Sequence, residues 1–183
     1  MNTNKPNLKI EFINHACFTI KGNTKKIMID PWVEGRTFND GWSLIKETKF
    51  NFKEFENIDY IWFSHEHPDH FFPPNLKKIP EEVRKKITVY FQKTYDKRVV
   101  NFLKKLSFNI IEMEEHKKYK LEDEFYITCN VEPFYDSYLF IEINGTSILN
   151  LNDCVIDDIN KLRQIKHEFN KIDVLMTQFG IAG

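Results

Sequence analysis

The sequence predicts an α/β (α+β) fold in which mixed sheets stack face to face and helices cover their outer surfaces. Three observations predict it. Apolar runs of strand length come first, mix with helical spacing in the middle, and return as strands near the end. The run Ile58 to Ser64 has a continuous apolar centre, the pattern of a strand buried on both faces. Hydrophobic residues make up 42% of the 183 residues and Phe alone contributes 17, which is enough to fill the interior of one domain over 1–183.

The elements follow in order. Leu8 to Ile13, Ala16 to Ile20 and Lys26 to Asp30 read as strands, with Gly22-Asn23 as the turn between the last two. Pro31 ends the third. Trp32 to Phe55 reads as a long loop with Gly35 and Gly41. After the strand Ile58 to Ser64, a helix is expected from Pro73 to Ile79, with Lys86 as its furthest limit. Ile87 to Phe91 is a strand. Val99, Phe102, Leu103 and Leu106 have helical spacing within Lys93 to Leu106. Strands follow at Asn109 to Met113, Tyr119 to Leu121, Phe125 to Val131, Ser137 to Ile143 and Ser147 to Leu151, with Asn144-Gly145 as a tight hairpin turn. Val155 to Phe169 reads as a helix with Ile156, Ile159, Leu162 and Ile165 on one face, and Asp173 to Thr177 as a last, buried strand. A chain that stops at Gly183, just past such a strand, suggests a truncated domain or one completed elsewhere.

Charge is nearly balanced, with 26 Lys and Arg against 27 Asp and Glu. That argues against a nucleic-acid partner and against a polybasic membrane anchor. No run reaches the roughly 18 apolar residues of a membrane span. Met1 to Asn7 is polar and unlike a signal peptide, so the expected compartment is the cytoplasm. Cys17, Cys129 and Cys154 are odd in number and far apart, which fits buried thiols better than disulfides.

The chemistry concentrates in Ser64-His65-Glu66-His67-Pro68-Asp69-His70. Pro68 disfavours helical backbone at His67, so His65 and His67 stand two apart on extended chain and face the same side. Asp69 and His70 follow at a turn and can reach the same centre from another direction. Imidazole with carboxylate suits zinc, and also iron or manganese. Three of the six histidines lie in this one loop, which makes a chance polar loop a weak explanation. Asp153, in Asn150-Leu151-Asn152-Asp153-Cys154, is placed either to bridge two ions from a strand end or to cap a helix near Val155.

His65-x-His67-x-Asp69-His70 after a buried strand resembles the signature of the metallo-β-lactamase superfamily. The resemblance implies an αββα sandwich. It implies that His65 and His67 ligate one metal, that Asp69 and His70 ligate a second, and that Asp153 bridges them. Asp30 then supports the loop from behind. Asp30-Pro31-Trp32 with Gly35, Phe38, Gly41 and Trp42, together with Asp136-Ser137, Asn152-Asp153-Cys154 and Leu175 to Phe179, is similar to the hydrolase-like domain of CMP-N-acetylneuraminate hydroxylases. Three departures stand out. No histidine lies near Phe134 to Ser137, where such enzymes supply a third, and Asp136 is the candidate replacement. The usual last histidine would lie beyond Gly183. The paired Cys-x-His motifs of a Rieske domain are absent.

The activity implied is metal-dependent hydrolysis with zinc, one or two ions. Asp69 is the candidate catalytic residue, orienting water or ligating the metal. The substrate would be a small molecule such as a sugar nucleotide or another phosphorylated or acylated compound. The alternatives are an iron-containing oxidoreductase component and a non-catalytic relative. His15 could contact the metal rim or be a satisfied core histidine, and Trp32 and Trp42 could line a pocket or pack the core. Arg36 could contact an anion. His116, His167 and the basic run Lys77, Lys78, Arg84, Lys85 and Lys86 are expected at the surface.

Overall fold

The computed structural model describes residues 8–132 and 136–178. Residues 1–7, 133–135 (with Phe134) and 179–183 (with Phe179) therefore lie outside the described residues. A six-stranded sheet has the order β1-β2-β3-β6-β7-β8, and a five-stranded sheet has the order β13-β12-β11-β10-β9. In the first, β1 (Lys9–Asn14), β2 (Cys17–Lys21) and β3 (Lys26–Ile29) form an antiparallel meander. The strands β6 (Tyr60–Phe63), β7 (Thr88–Gln92) and β8 (Asn109–Met113) then run parallel to β3. In the second, β9 (Lys118–Glu122), β10 (Phe125–Val131), β11 (Ser137–Ile143) and β12 (Thr146–Asn152) are antiparallel, and β13 (Val174–Thr177) joins β12 in parallel.

The two-residue period of the strands builds three apolar layers. Ile27, Ile29, Trp62 and Tyr90 point inward from the first sheet and meet Ile127, Leu139, Ile141 and Ile148 of the second. Their neighbours Met28, Ile61, Phe63, Val89 and Phe91 point outward. There they pack under Leu76 of α1 (Pro73–Lys78), Val83 of α2 (Glu81–Arg84), and Val99, Val100 and Leu103 of α3 (Arg98–Lys105). On the far side, Tyr138, Phe140, Leu149 and Leu151 receive Ile165 of α4 (Ile159–Glu168) and Phe169. The result is helix, sheet, sheet, helix. No helix among the described residues is long and apolar enough to cross a membrane.

Several boundaries differ from the sequence reading, each for a local reason. The stretch read as one loop holds a small hairpin, β4 (Arg36–Thr37) with β5 (Trp42–Ser43), and a 3-10 turn at Phe52–Asn57. Asn51 and Glu54 cap that turn reciprocally. The helix after Pro73 does not run on to Lys86, because Pro80 restricts its predecessor, and α2 starts afresh. Arg84 is not a plain solvated cation: its guanidinium donates to the carbonyls of Ile79 (2.9 Å) and Lys77 (3.3 Å) at the end of α1. α3 starts at Arg98, later than Lys93, since the Lys93 N–H pairs with the Met113 carbonyl beside β8 (2.9 Å). α4 starts at Ile159, where the Asp158 side chain accepts the Asn160 N–H (2.9 Å). Ile165 of the expected apolar face is buried, but Ile159 and Leu162 are exposed. β13 is likewise a half-exposed edge, with Leu175 outward, and not a buried strand.

Asn144 and Gly145 take positive φ (48° and 77°), as a two-residue hairpin turn requires. The three cysteines are buried and free, and burial pushes the Cys129 thiol up to about 12. His167 and His116 are on the surface. His116 Nδ1 lies 2.8 Å from Glu168 Oε1 at the end of α4. That contact raises the His116 pKa above its ordinary 6.5. The folded value exceeds the unfolded one, so the contribution to stability is complete below pH about 6.5 and is lost as pH rises through the higher folded value. Replacing Glu168 with Gln should bring the NMR titration of His116 back towards its ordinary value. An unchanged midpoint would dissociate the shift from this pair.

Candidate metal centre

The centre lies at the ends of strands from both sheets. Three residues there hold left-handed backbone: His15 in the β1–β2 turn (φ 42°), Asp30 just past β3 (φ 41°) and Asn152 at the end of β12 (φ 51°). Asn, Asp and His tolerate this region better than other non-glycine residues. Each turns its strand sharply where its side chain enters the site.

Asp30 is fully buried and organises the loop. Its Oδ1 accepts the Ser64 N–H (2.8 Å). Its Oδ2 accepts the Ser64 hydroxyl (2.8 Å), faces His70 Nδ1 (3.0 Å) and accepts the Asn152 amide. A carboxylate can only accept, so Ser64 gives Asp30 its one proton. His65 Nδ1, 2.9 Å from Ser64 Oγ, must then be the donor of that contact. His70 donates from Nδ1 in the same way. Both rings are thus turned so that Nε2 points at the centre. Both Nε2 atoms are buried without a hydrogen-bond partner among the described residues. A buried nitrogen left unpaired is costly in a protein interior, and an ion between them would resolve it.

Asp153 and Asp69 converge on those nitrogens, and Asp136 approaches the other ring nitrogen of His65. Asp153 Oδ2 lies 3.2 Å from His70 Nε2 and 4.0 Å from His65 Nε2. The 3.2 Å contact lacks hydrogen-bond alignment. Asp69 Oδ2 lies 3.4 Å from His70 Nε2 and 2.9 Å from His15 Nε2. Asp136 Oδ1 lies 3.5 Å from His65 Nδ1. Three sets each have donor atoms mutually within 4.8 Å: His65, His67 and Asp136; His65, His70 and Asp153; and His15, Asp69 and His70. All five residues of the sequence-predicted set are therefore together, and Asp136 stands beside His65 and His67. Asp153 does not cap a helix; Asp158 does.

The electrostatics fit a cation-binding pocket. Burial, reinforced by the neighbouring His70, drives the His65 pKa down to about 4. Burial would lower His70 too, but contacts with Asp153, Asp30 and Asp69 outweigh it and raise its pKa well above 6.5. Burial would raise Asp69, yet His15 and His70 hold its carboxyl far below the usual range. Burial and the nearby Asp153 push Asp136 up. Carboxylates gathered around one imidazole held neutral by burial and another that must shed a proton to bind make a donor set for divalent cations.

A cleft of about 1110 Å³ opens beside this centre. His15 and Trp32 form its inner end, and Phe12, Trp42 and Phe50 line its length. Trp32 is buried and meets His15 edge-on, with ring centroids 5.3 Å apart, whereas Trp42 is 42% exposed to the cleft. Both tryptophans thus line the cleft, and Trp32 is packed into the interior as well. Arg36 is exposed and is not among the cleft-lining residues. Sequence reasoning missed Ser64, Ser137 and Asn152 as supports. The Ser137 hydroxyl donates to the Ser64 carbonyl (2.5 Å) across the two sheets. The available signal was a polar residue at the end of each apolar strand.

Comparison with known proteins agrees with this fold. The model of the Beta-lactamase superfamily domain matches residues 9–180. The chain is 30% identical over 167 residues to the cytidine monophosphate-N-acetylneuraminic acid hydroxylase of Xenopus laevis, covering 85% of this chain and 27% of that protein. It is 28% identical over 178 residues to the inactive human counterpart, covering 94% of this chain and 34% of that protein. The chain therefore spans about a third of these relatives' length. Among solved structures, an isothiocyanate hydrolase from Delia radicum gut bacteria superposes with TM-score 0.67 at 15% identity, covering 91% of this chain and 69% of the other. CmlA, a diiron beta-hydroxylase from Streptomyces venezuelae, superposes with TM-score 0.65 at 15% identity, covering 93% and 34%. The four-layer architecture is the metallo-β-lactamase fold, and the chain belongs to the beta-lactamase superfamily domain family.

Proposed function

We propose that this domain is a metal-dependent hydrolase acting on a small molecule that carries an ester, amide or phosphodiester bond. The observation that carries the reading is the pair of buried Nε2 atoms of His65 and His70, neither of them hydrogen-bonded among the described residues, facing Asp153 beside an open cleft. His65, His67 and Asp136 would hold one ion, and Asp69 and His70 a second, with Asp153 shared. When bound, such ions polarise the scissile group and make water acidic enough to act near neutral pH. Zinc suits a donor set of imidazole and carboxylate. Asp30 and Ser64 fix the ring orientations, and Asp69 holds its negative charge against the second ion or the water. Trp42 and Phe12 offer apolar walls to the substrate, in a cleft whose volume suits a small ligand. The names of the sequence relatives suggest a sugar nucleotide or a similar phosphorylated or acylated compound. The reading includes no nucleic-acid or membrane partner.

One observation favours a second reading, an iron-dependent oxidoreductase component. His65, His67 and Asp136 are two imidazoles and one carboxylate, a set typical of non-haem iron sites. Elemental analysis after anaerobic reconstitution with zinc, manganese or iron(II) separates the readings, followed by hydrolysis and oxygen-uptake assays on acylated and phosphorylated sugar substrates. Hydrolysis by the zinc form without oxygen uptake is expected. Reductant-dependent oxygen uptake by the iron form, with no hydrolysis by any form, would overturn the hydrolase. Less than one equivalent of every metal would overturn both.

A further inference from the structure

We infer that His15 is a direct ligand of the second metal ion, completing the set Asp69, His70 and Asp153 from the first hairpin of the fold. The inference rests on the metal reading above and assigns a residue outside the histidine loop.

The β1–β2 hairpin closes with Asn14 opposite Cys17, so His15 and Ala16 form its two-residue turn. Such turns favour Gly, Asn or Asp at positions of positive φ. His15 occupies one at φ 42°, and its ring crosses into the site. Its Nε2 stops 2.9 Å from Asp69 Oδ2, which is itself 3.4 Å from His70 Nε2. Donors placed about 2.0–2.1 Å from a tetrahedral zinc stand roughly 3.3 Å apart, and these two spacings bracket that value. The donor atoms of His15, Asp69 and His70 lie mutually within 4.8 Å. The rings of His15 and His70 meet edge-on at 5.6 Å, and Trp32 closes the other side of His15. The imidazole is thus aimed, not loosely exposed.

The arrangement also has a functional sense. His15 is the one member of the three donor sets that also lines the cleft. Its side chain is 35% exposed there. A ligand in that place puts the second ion at the cleft's inner end. A purely orienting role, with His15 only holding the Asp69 carboxylate, is the competing explanation.

The test uses the whole protein loaded with cobalt(II), read by competition with a chromophoric chelator and by counting hyperfine-shifted exchangeable imidazole protons in NMR. The parent should bind two ions. H15A and H15N should keep the first at parental affinity and bind the second more than about 100-fold more weakly, beyond the 10–100-fold typical of outer partners. Both should lose one shifted imidazole proton. Asn suits the left-handed turn, so H15N keeps the hairpin should H15A fail to fold. Two ions bound by H15N with an unchanged number of shifted protons would overturn the inference. So would a parent that takes up only one ion, and a parent that takes up none overturns the metal reading itself.

Discussion

Replacing Asp30 with Ala should destabilise the metal-free chain by about 3–5 kcal/mol, the range for removing one partner of a buried charged network. The reason is the number of groups that depend on it. The Ser64 N–H, the Ser64 hydroxyl, His70 Nδ1 and the Asn152 amide all turn to this one fully buried carboxylate. Each buried donor left unpaired costs about 1–3 kcal/mol, and the costs are not additive. Asp30→Asn is gentler in volume but brings an amide N–H₂ against those donors. It also frees His65 and His70 to rotate, so metal affinity should fall about 10–100-fold. Urea unfolding of the apo-protein and metal titration of the folded variant check the two effects. An Asp30→Ala chain within about 0.5 kcal/mol of the parent, the usual scatter for surface changes, would refute the role given to this residue.

Asp153→Ala should weaken binding of both ions, each by more than about 100-fold, whereas His67→Ala should affect the first ion alone. The contrast follows from position. Asp153 Oδ2 faces both His70 Nε2 and His65 Nε2, while His67 shares a donor set only with His65 and Asp136. Turnover should fall to background in both variants if two ions are needed. Isothermal titration with zinc, done side by side, resolves them. Equal loss of only one ion in each would place Asp153 in a single site and remove the shared carboxylate from the scheme.

Much of this was legible in the sequence because it depends on local order. A proline after His67, an apolar strand before His65 and an acid at the end of β3 can each be read from neighbours in the chain. The strands were legible for the same reason, since alternation reports a buried face directly. The start of α1 at Pro73 was legible, but those of α3 and α4 were not, because Asp96 and Asp158 contact the backbone there through their side chains. Asp153 was ambiguous because a carboxylate after a strand serves a cap or an ion equally well. Only its distance to His70 decides. His15 was left open between metal rim and core, and Asn152 was beyond reach, for a deeper reason. Their partners Asp69 and Asp30 lie 54 and 122 residues away, and nothing in local periodicity encodes that approach. The exposure of Leu175 and Ile159 depends likewise on which strand ends the sheet.

Asn152 to Asp30 and Ser137 to Ser64 join one sheet to the other, and Asp136 and Asp153 face His65 and His70 across the same gap. An ion held there is a rivet between two half-structures. Occupancy and docking of the sheets then become one equilibrium seen from two ends. At a free metal concentration 100 times Kd, a site contributes about 2.7 kcal/mol to the folded state. By reciprocity, any packing defect between Trp62 and Leu139, neither of them a donor, is felt as weaker metal. A domain built this way would report its own structural integrity through the ion it held, and withdrawing that ion would lower its stability together with the proposed activity.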